Sequence, residues 1–341
     1  MSRPAKLGQT EPSGLVAALA AIAVLVAIVA IVSPSPPAAL RTLLFAPFGT
    51  RFALGNLINR AALLALTATG IVVALRSGAF NLGGEGQVYL GGFLAALVLA
   101  ESGFGAWLAV LVAVLAGATL AGVSGYIKQR TGADEIILTF LLSAAAFPIV
   151  DALIVGPLRD PASSLLATVA IPEAARSASI LPPSRLSATF LLGIAAPFAL
   201  WAVLRYTLLG YQLRITGHNA AMASYAGINV DLHITGAMAA SGALHGLTGA
   251  LLVLGVHYRA IQGFSGGFGW NGIAVALIAR NRPLLIVPAA LFFAYLESGA
   301  RALVLRNLGS IELSTLIQAI VFLFVTARIA LPRLRAPRTR T

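Results

Sequence analysis

Ten mostly apolar stretches follow one another along this chain, most of them close to the length that a helix needs to cross a bilayer. About 20 such residues span the hydrocarbon core. The first runs from Gly14 to Val32, and the others fall at about 61–76, 82–100, 106–127, 134–155, 187–208, 232–254, 270–280, 284–300 and 311–329. The eighth and ninth are the shortest. Composition agrees: 59% of the 341 residues are hydrophobic, 10% are charged, and mean hydropathy is +0.92. Such a chain lacks the polar surface to cover its core in water, so lipid must replace water over most of its outside. The fold class expected is all-α, a polytopic helical bundle in the membrane.

Charge orients the bundle. The formal net charge is +12, yet the basic residues sit at the ends of apolar runs and not on one face. That pattern fits cationic flanks on the cytoplasmic side and gives no basic patch interleaved with aromatics for nucleic acid. With both termini inside, most Lys and Arg fall in the inside segments, Arg333, Arg335, Arg338 and Arg340 of the tail among them. This reading divides the chain into an inside segment 1–13, a membrane domain 14–329 and a basic inside tail 330–341. Arg3 and Lys6 before Gly14 also suit a signal peptide. The length of that apolar run and the membrane character of all that follows favour a retained first helix. Cysteine is absent, which removes disulfides and thiolate chemistry.

Two long connections and one internal symmetry stand out. Residues 156–186, rich in proline, lie outside on this topology, and residues from about 205 to 231 lie inside. The third apolar segment is announced by Gly78-Ala79-Phe80-Asn81-Leu82-Gly83-Gly84-Glu85-Gly86-Gln87, and the eighth by Gly263-Phe264-Ser265-Gly266-Gly267-Phe268-Gly269-Trp270-Asn271-Gly272. Each would be the third helix of a set of five, and an odd number sets the halves upside down to one another. Inverted repeats with interrupted helices in matching places mark solute paths in transporters. Glycine-rich turns are also common in membrane proteins without such a repeat.

Glu85 is the most informative acid. A carboxylate within the membrane costs several kcal/mol unless partnered, and such groups line paths or lock structure. Both readings stand here: Glu85 lines a path with Asn81, Gln87 and Asn271, or it pairs with Arg76 to lock a helix junction. Asp134 and Glu135 read as helix-start residues, and Asp151 as interfacial. His233, His245 and His257 recur every 12 residues, about 18 Å apart on a helix, too far to share a metal. No His-Glu-x-x-His motif occurs, so no metal site is expected. Gly263 to Gly267 fit the Gly-x-Ser-x-Gly nucleophile pattern, but every histidine precedes Ser265 and no strand-turn-helix context surrounds it.

In the inside connection, Asn219 can cap a short Ala-rich helix ending near Ala226, with Gly227 closing it. Such a helix either docks into a partner's groove or lies as an amphipathic element on the membrane surface.

At these residues the chain resembles the ABC-importer permeases of the simple-sugar and nucleoside class. Phe80-Asn81-Leu82-Gly83-Gly84-Glu85-Gly86-Gln87 is similar to their Phe-Asn-Ile-Gly-x-Glu-Gly-Gln element. Gly210, Leu213, Arg214, Gly217, Asn219, Ala223, Tyr225, Ala226, Gly227 and Ile228 match their inside loop. The likeness extends over about residues 55–330. It implies a non-enzymatic subunit of the bacterial inner membrane that forms the path for a nucleoside-like or simple-sugar solute. Arg214, Gly217, Asn219, Tyr225, Ala226 and Gly227 would couple it to a cytoplasmic ATPase of two fused nucleotide-binding halves. ATP and Mg would bind there, since this chain has no Gly-x-x-x-x-Gly-Lys-Ser/Thr loop. A sister permease, forming a heterodimer, and an extracytoplasmic solute-binding lipoprotein complete the implied assembly. The absence of the Asp-Leu-Ser-Val-Gly-Ser element of ribose-type relatives favours nucleosides. The rival classes are an ion-coupled secondary transporter of small polar solutes and an intramembrane serine protease.

Overall fold

A computed structural model describes residues 26–31 and 33–310 apart from 102–104, with isolated positions 23, 312, 316 and 319 beyond them. Most of the first apolar segment, most of the last, and the basic tail lie outside the described residues. Among those described, every regular element is helical. The helices are α1 (Pro36–Phe45), α2 (Arg51–Arg76), α3 (Gly84–Glu101), α4 (Ala106–Thr131), α5 (Glu135–Val155), α6 (Phe190–Tyr206), α7 (Leu208–His218), α8 (Ala220–Tyr225), α9 (Val230–Leu252), α10 (Phe268–Ile278) and α11 (Ile286–Leu305). The protein is an all-α polytopic membrane bundle.

Among the described residues, five helical stretches are long and apolar enough to cross a bilayer: α2, α4, α5, α9 extended to His257, and Pro283–Leu305. The pair α6 and α7 passes the same test together but bends by 84° at Thr207, and α3 and α10 are shorter apolar helices. The most hydropathic stretch of α2 is 89% buried, against 22% for α4 and α5. So α2 runs through the middle of the bundle, while α4 and α5 turn Trp107, Leu111, Leu115, Ile137 and Leu141 outward. A face that is both exposed and apolar is what hydrocarbon chains solvate.

The chain groups into two compact units. One comprises residues 1–47 and 296–341. There Ala39 and Leu43 of α1 bury against Ala300 and Leu303, and the Ser33 hydroxyl donates to the Leu308 carbonyl at 2.8 Å. The other unit, Phe48–Tyr295, holds the main core.

Small residues let the helices of this core approach closely. Gly242 and Gly246 of α9 face Ala113, Gly117 and Ala121 of α4, and a methyl group added at Gly242 would sit 2.0 Å from the Gly117 carbonyl oxygen. Lipid is as apolar as a leucine side chain, so close van der Waals packing must hold such helices together, and small residues permit it.

The 156–186 connection is folded back on the far end of α9. Thr168 N–H donates to the Ala260 carbonyl at 2.9 Å and Ile171 N–H to Tyr258 at 2.8 Å. The Tyr258 ring, at φ 60°, carries the guanidinium groups of Arg185 at 4.7 Å and Arg176 at 5.1 Å. A π-helical turn, Val253–His257, precedes it. The inside connection differs from its expected form, since most of it is helical. α7 occupies Leu208–His218, ahead of the short helix that Asn219 leads.

Candidate functional site

The two glycine-rich elements meet. α3 and α10 begin at the same place, with Gly269 packed so tightly on Glu85 that a methyl group there would fall 2.1 Å from the Glu85 nitrogen. Only glycine lets two backbones approach to this distance. The Glu85 carboxylate, buried at 4% exposure, closes the junction. Its Oε1 accepts the Gly267 N–H at 2.8 Å and its Oε2 accepts the Gly269 N–H at 2.6 Å. Both are free amides at the start of α10, where the helix dipole favours a negative charge. The partner of Glu85 is therefore the backbone of α10 and not Arg76, whose Nη2 donates instead to the Asn281 carbonyl at 2.5 Å. A pairing of Glu85 with two main-chain amides across 182 and 184 residues leaves no pattern in sequence.

The remaining polar groups of the junction also find partners inside the protein. Asn81 and Gln87 exchange amide hydrogen bonds at 2.8 and 2.9 Å, and Asn81 Nδ2 donates to Ser241 Oγ at 3.0 Å. Leu82 N–H donates to Thr139 Oγ1 at 3.1 Å, and Gly86 N–H to Ser143 Oγ at 2.8 Å. Asn81, Glu85 and Gln87 are thus brought together in one buried lattice joining α3 to α5, α9 and α10. Asn271 stands one helical turn into α10, half-buried, apart from that lattice. Thr139, Ser143 and Ser241 escaped sequence reasoning because a hydroxyl in an apolar run reads as neutral until its partner is known.

His245 is buried beside this lattice. Its Nδ1 donates to the Ser241 carbonyl at 2.8 Å, and Nε2 has no partner. Gly70 and Gly84 make room for the ring: a methyl group at Gly84 would lie 2.7 Å from Nε2. Further along α3, the Tyr89 hydroxyl donates to Asp151 and accepts the Gly263 N–H at 3.0 Å. Asp151 is therefore tied to a helix–loop contact. Ser265 lies in a turn leading into α10, with its carbonyl accepting the Phe268 N–H, and not at a strand-to-helix elbow.

At the other end of the unit, α7 turns 84° away from α6 and presents the expected short helix. Asn219 caps it, accepting the Met222 N–H at 3.0 Å, and Gly227 closes it at φ 77°. Ala223 faces inward, while Met222 and Tyr225 stand out, Tyr225 at 94% exposure. Gly217 packs on the end of α2, where a methyl group would meet the Arg76 carbonyl oxygen at 2.3 Å. Arg214 lies half-buried on α7 and Ala226 is exposed. The arrangement is a small helix held out from the bundle on a fixed arm. Among the described residues no group of His, Cys, Asp or Glu could hold a metal.

A bundle of apolar helices with interrupted helices meeting at its centre and a short capped helix held out at one end is the architecture of a transporter's membrane subunit. The chain belongs to the family described as the branched-chain amino acid transport system permease component, which it matches over residues 53–326. It is the permease subunit of an ABC importer, a multi-pass membrane protein. A probable riboflavin import permease of Treponema pallidum is 37% identical to it over 88% of this chain and 81% of its own length. A guanosine ABC transporter permease of Bacillus subtilis is 30% identical over 83% and 84%. Among solved structures, PsaBC from Streptococcus pneumoniae in complex with a Fab superposes with a TM-score of 0.51 at 16% identity. It covers 84% of this chain and 95% of its own, a likeness of fold alone.

Proposed function

We propose that this subunit carries a nucleoside-like solute, a planar nitrogen heterocycle bearing a ribosyl or ribityl chain, across the bacterial inner membrane. The reading is supported by the two relatives, whose named solutes, riboflavin and guanosine, share that chemistry. An extracytoplasmic binding lipoprotein delivers the solute. A cytoplasmic ATPase of two fused nucleotide-binding halves, holding ATP and Mg, supplies the energy, and a sister permease completes the pathway. These last assignments rest on the resemblance of Phe80 to Gln87 to the Glu-Gly-Gln class.

Within the chain, Asn81, Glu85 and Gln87 act as the fixed frame of the path. Asn271 is the polar group left to face solute. Arg214, Gly217, Asn219, Tyr225, Ala226 and Gly227 form the coupling element. The observation that carries this assignment is the exposure of Tyr225 and Met222 on a capped helix of six residues. An apolar, aromatic-bearing knob on a short helix fits a groove of a partner protein better than it fits water.

The test is to reconstitute the full transporter in liposomes and measure solute uptake and ATP hydrolysis together. Tyr225→Ala is expected to reduce uptake at least tenfold and to remove solute-stimulated hydrolysis, with normal insertion. Wild-type uptake by that variant would refute the coupling assignment. Uptake by the permease alone, driven by an ion gradient, would establish the secondary-transporter reading instead.

A further inference from the structure

Where α2, α7 and α10 end, three arginines converge without a counter-charge. The guanidinium groups of Arg214 and Arg282 are close enough to act electrostatically on that of Arg76. Among the described residues none of the three is in an ion pair with a carboxylate, unlike Lys128 with Glu135, Arg176 with Glu173, Arg259 with Asp160 and Arg301 with Glu297. Like charges held together at the edge of an apolar bundle repel, and an anion set between them relieves that repulsion.

The same junction holds three buried polar atoms with no hydrogen-bond partner: Arg76 Nε, Thr216 Oγ1 and Asn281 Oδ1. Such orphans are few in native proteins and call for a ligand or a water. Their backbones adjoin. Arg76 Nη2 donates to the Asn281 carbonyl at 2.5 Å. Thr216 directly precedes Gly217, which packs on the Arg76 carbonyl oxygen and against Gly78. Arg280 and Asn281 are held at φ 52° and 55°, a left-handed pair that side chains other than glycine rarely adopt in succession. That turn sets Arg282 beyond the end of α10, exposed.

We propose that this junction binds a phosphate oxyanion. Arg76 Nε–H and the Thr216 hydroxyl donate to it from the buried side, and Arg214 and Arg282 supply charge from the open side. The Asn281 amide, whose ends exchange by rotation about χ2, adds a donor. Guanidinium groups fit the oxygens of phosphate, and their hydrogen bonds to it are charge-assisted. Two sources present that group at this depth, the phosphodiester of an anionic phospholipid and free phosphate. Since Arg76 closes a helix long enough to span the bilayer, the site lies at headgroup level.

The full-length chain, purified in detergent, is titrated by native mass spectrometry with phosphatidylglycerol, phosphatidylcholine and inorganic phosphate in separate arms. Arg282→Gln is the informative variant because the side chain is exposed and its loss leaves the core intact. Arg205→Gln, at the exposed end of α6, is the reference. Saturable binding of phosphatidylglycerol, weakened about tenfold by Arg282→Gln and unchanged by Arg205→Gln, establishes the site with lipid as its source. The same pattern with inorganic phosphate establishes it with free phosphate as the source. The proposal is overturned if neither saturates, if phosphatidylcholine binds as tightly as phosphatidylglycerol in the lipid arm, or if the two variants behave alike.

Discussion

The junction of α3 with α10 and the segment from Thr207 to Asn229 both interrupt the run of membrane helices, and they satisfy their backbones in opposite ways. At the junction, the amides of Leu82, Gly86, Gly267 and Gly269 bond to side chains from other helices. In the second region the caps are local: Thr207 accepts from Gly210, Asn219 from Met222 and Asn229 from Leu232. The glycines differ likewise. Gly269 is there for closeness, with Glu85 backbone atoms 2.1 to 2.5 Å from where a methyl group would sit. Gly227 has nothing within 4 Å and is there for its positive φ. The first region depends on distant parts of the chain and cannot form without them. The second builds its caps from its own neighbours and rests on α6 through Gly210 and on α2 through Gly217, so its exposed residues can be altered without disturbing the core.

Substitutions should separate these two regimes, and the largest effect belongs to the junction. Glu85→Ala leaves two buried amides without acceptors and is expected to cost about 3 kcal/mol or more, read as a lowered thermal midpoint in detergent and poor yield of folded protein. Unchanged stability would show that water or lipid can replace the carboxylate. Next, Gly117→Ala drives a methyl group to 2.1 Å from the Gly242 carbonyl and should cost about 1–3 kcal/mol by the same measurement. In the second region, Asn219→Ala removes one cap and should cost about 1 kcal/mol. That loss should appear in hydrogen exchange confined to residues 220–225, while the global midpoint stays put. The smallest effect on stability is expected for Tyr225→Ala, within about 0.5 kcal/mol, although that variant is the one expected to lose uptake while fully folded. A destabilised core in that variant would erase the distinction drawn between the regions.

The same contrast explains what could be read from sequence. The apolar run expected at 134–155 is α5 at Glu135–Val155, capped by Asp134 as an acid at a helix start should, whereas α2 begins at Arg51, ten residues ahead of the run expected at 61–76. The short helix after Asn219 was legible because its cap, its alanines and its closing glycine are neighbours in the chain. Asn81, Glu85 and Gln87 stood out because polar residues in an apolar, glycine-rich setting need a reason. What that reason is, a lattice through Thr139, Ser143, Ser241 and the amides of α10, depends on contacts between distant segments. α7 was missed for a different cause. Its polar residues at Gly210, Gln212, Arg214 and Thr216 break the apolar run, while the helix keeps one apolar side through Leu213 and packs Gly210 on α6.

The bend at Thr207 has a mechanical corollary. An 11-residue helix is a lever about 16 Å long. With its fulcrum at Thr207, a swing of about 10° would carry the tip, Asn219, through about 3 Å and would lift Gly217 off the Arg76 carbonyl of α2. The ratio also runs in reverse. A push of a few ångströms on Tyr225 is delivered to α6 as torque about one peptide, and Gly210, seated against Val203 and Leu204, is the bearing on which that torque turns.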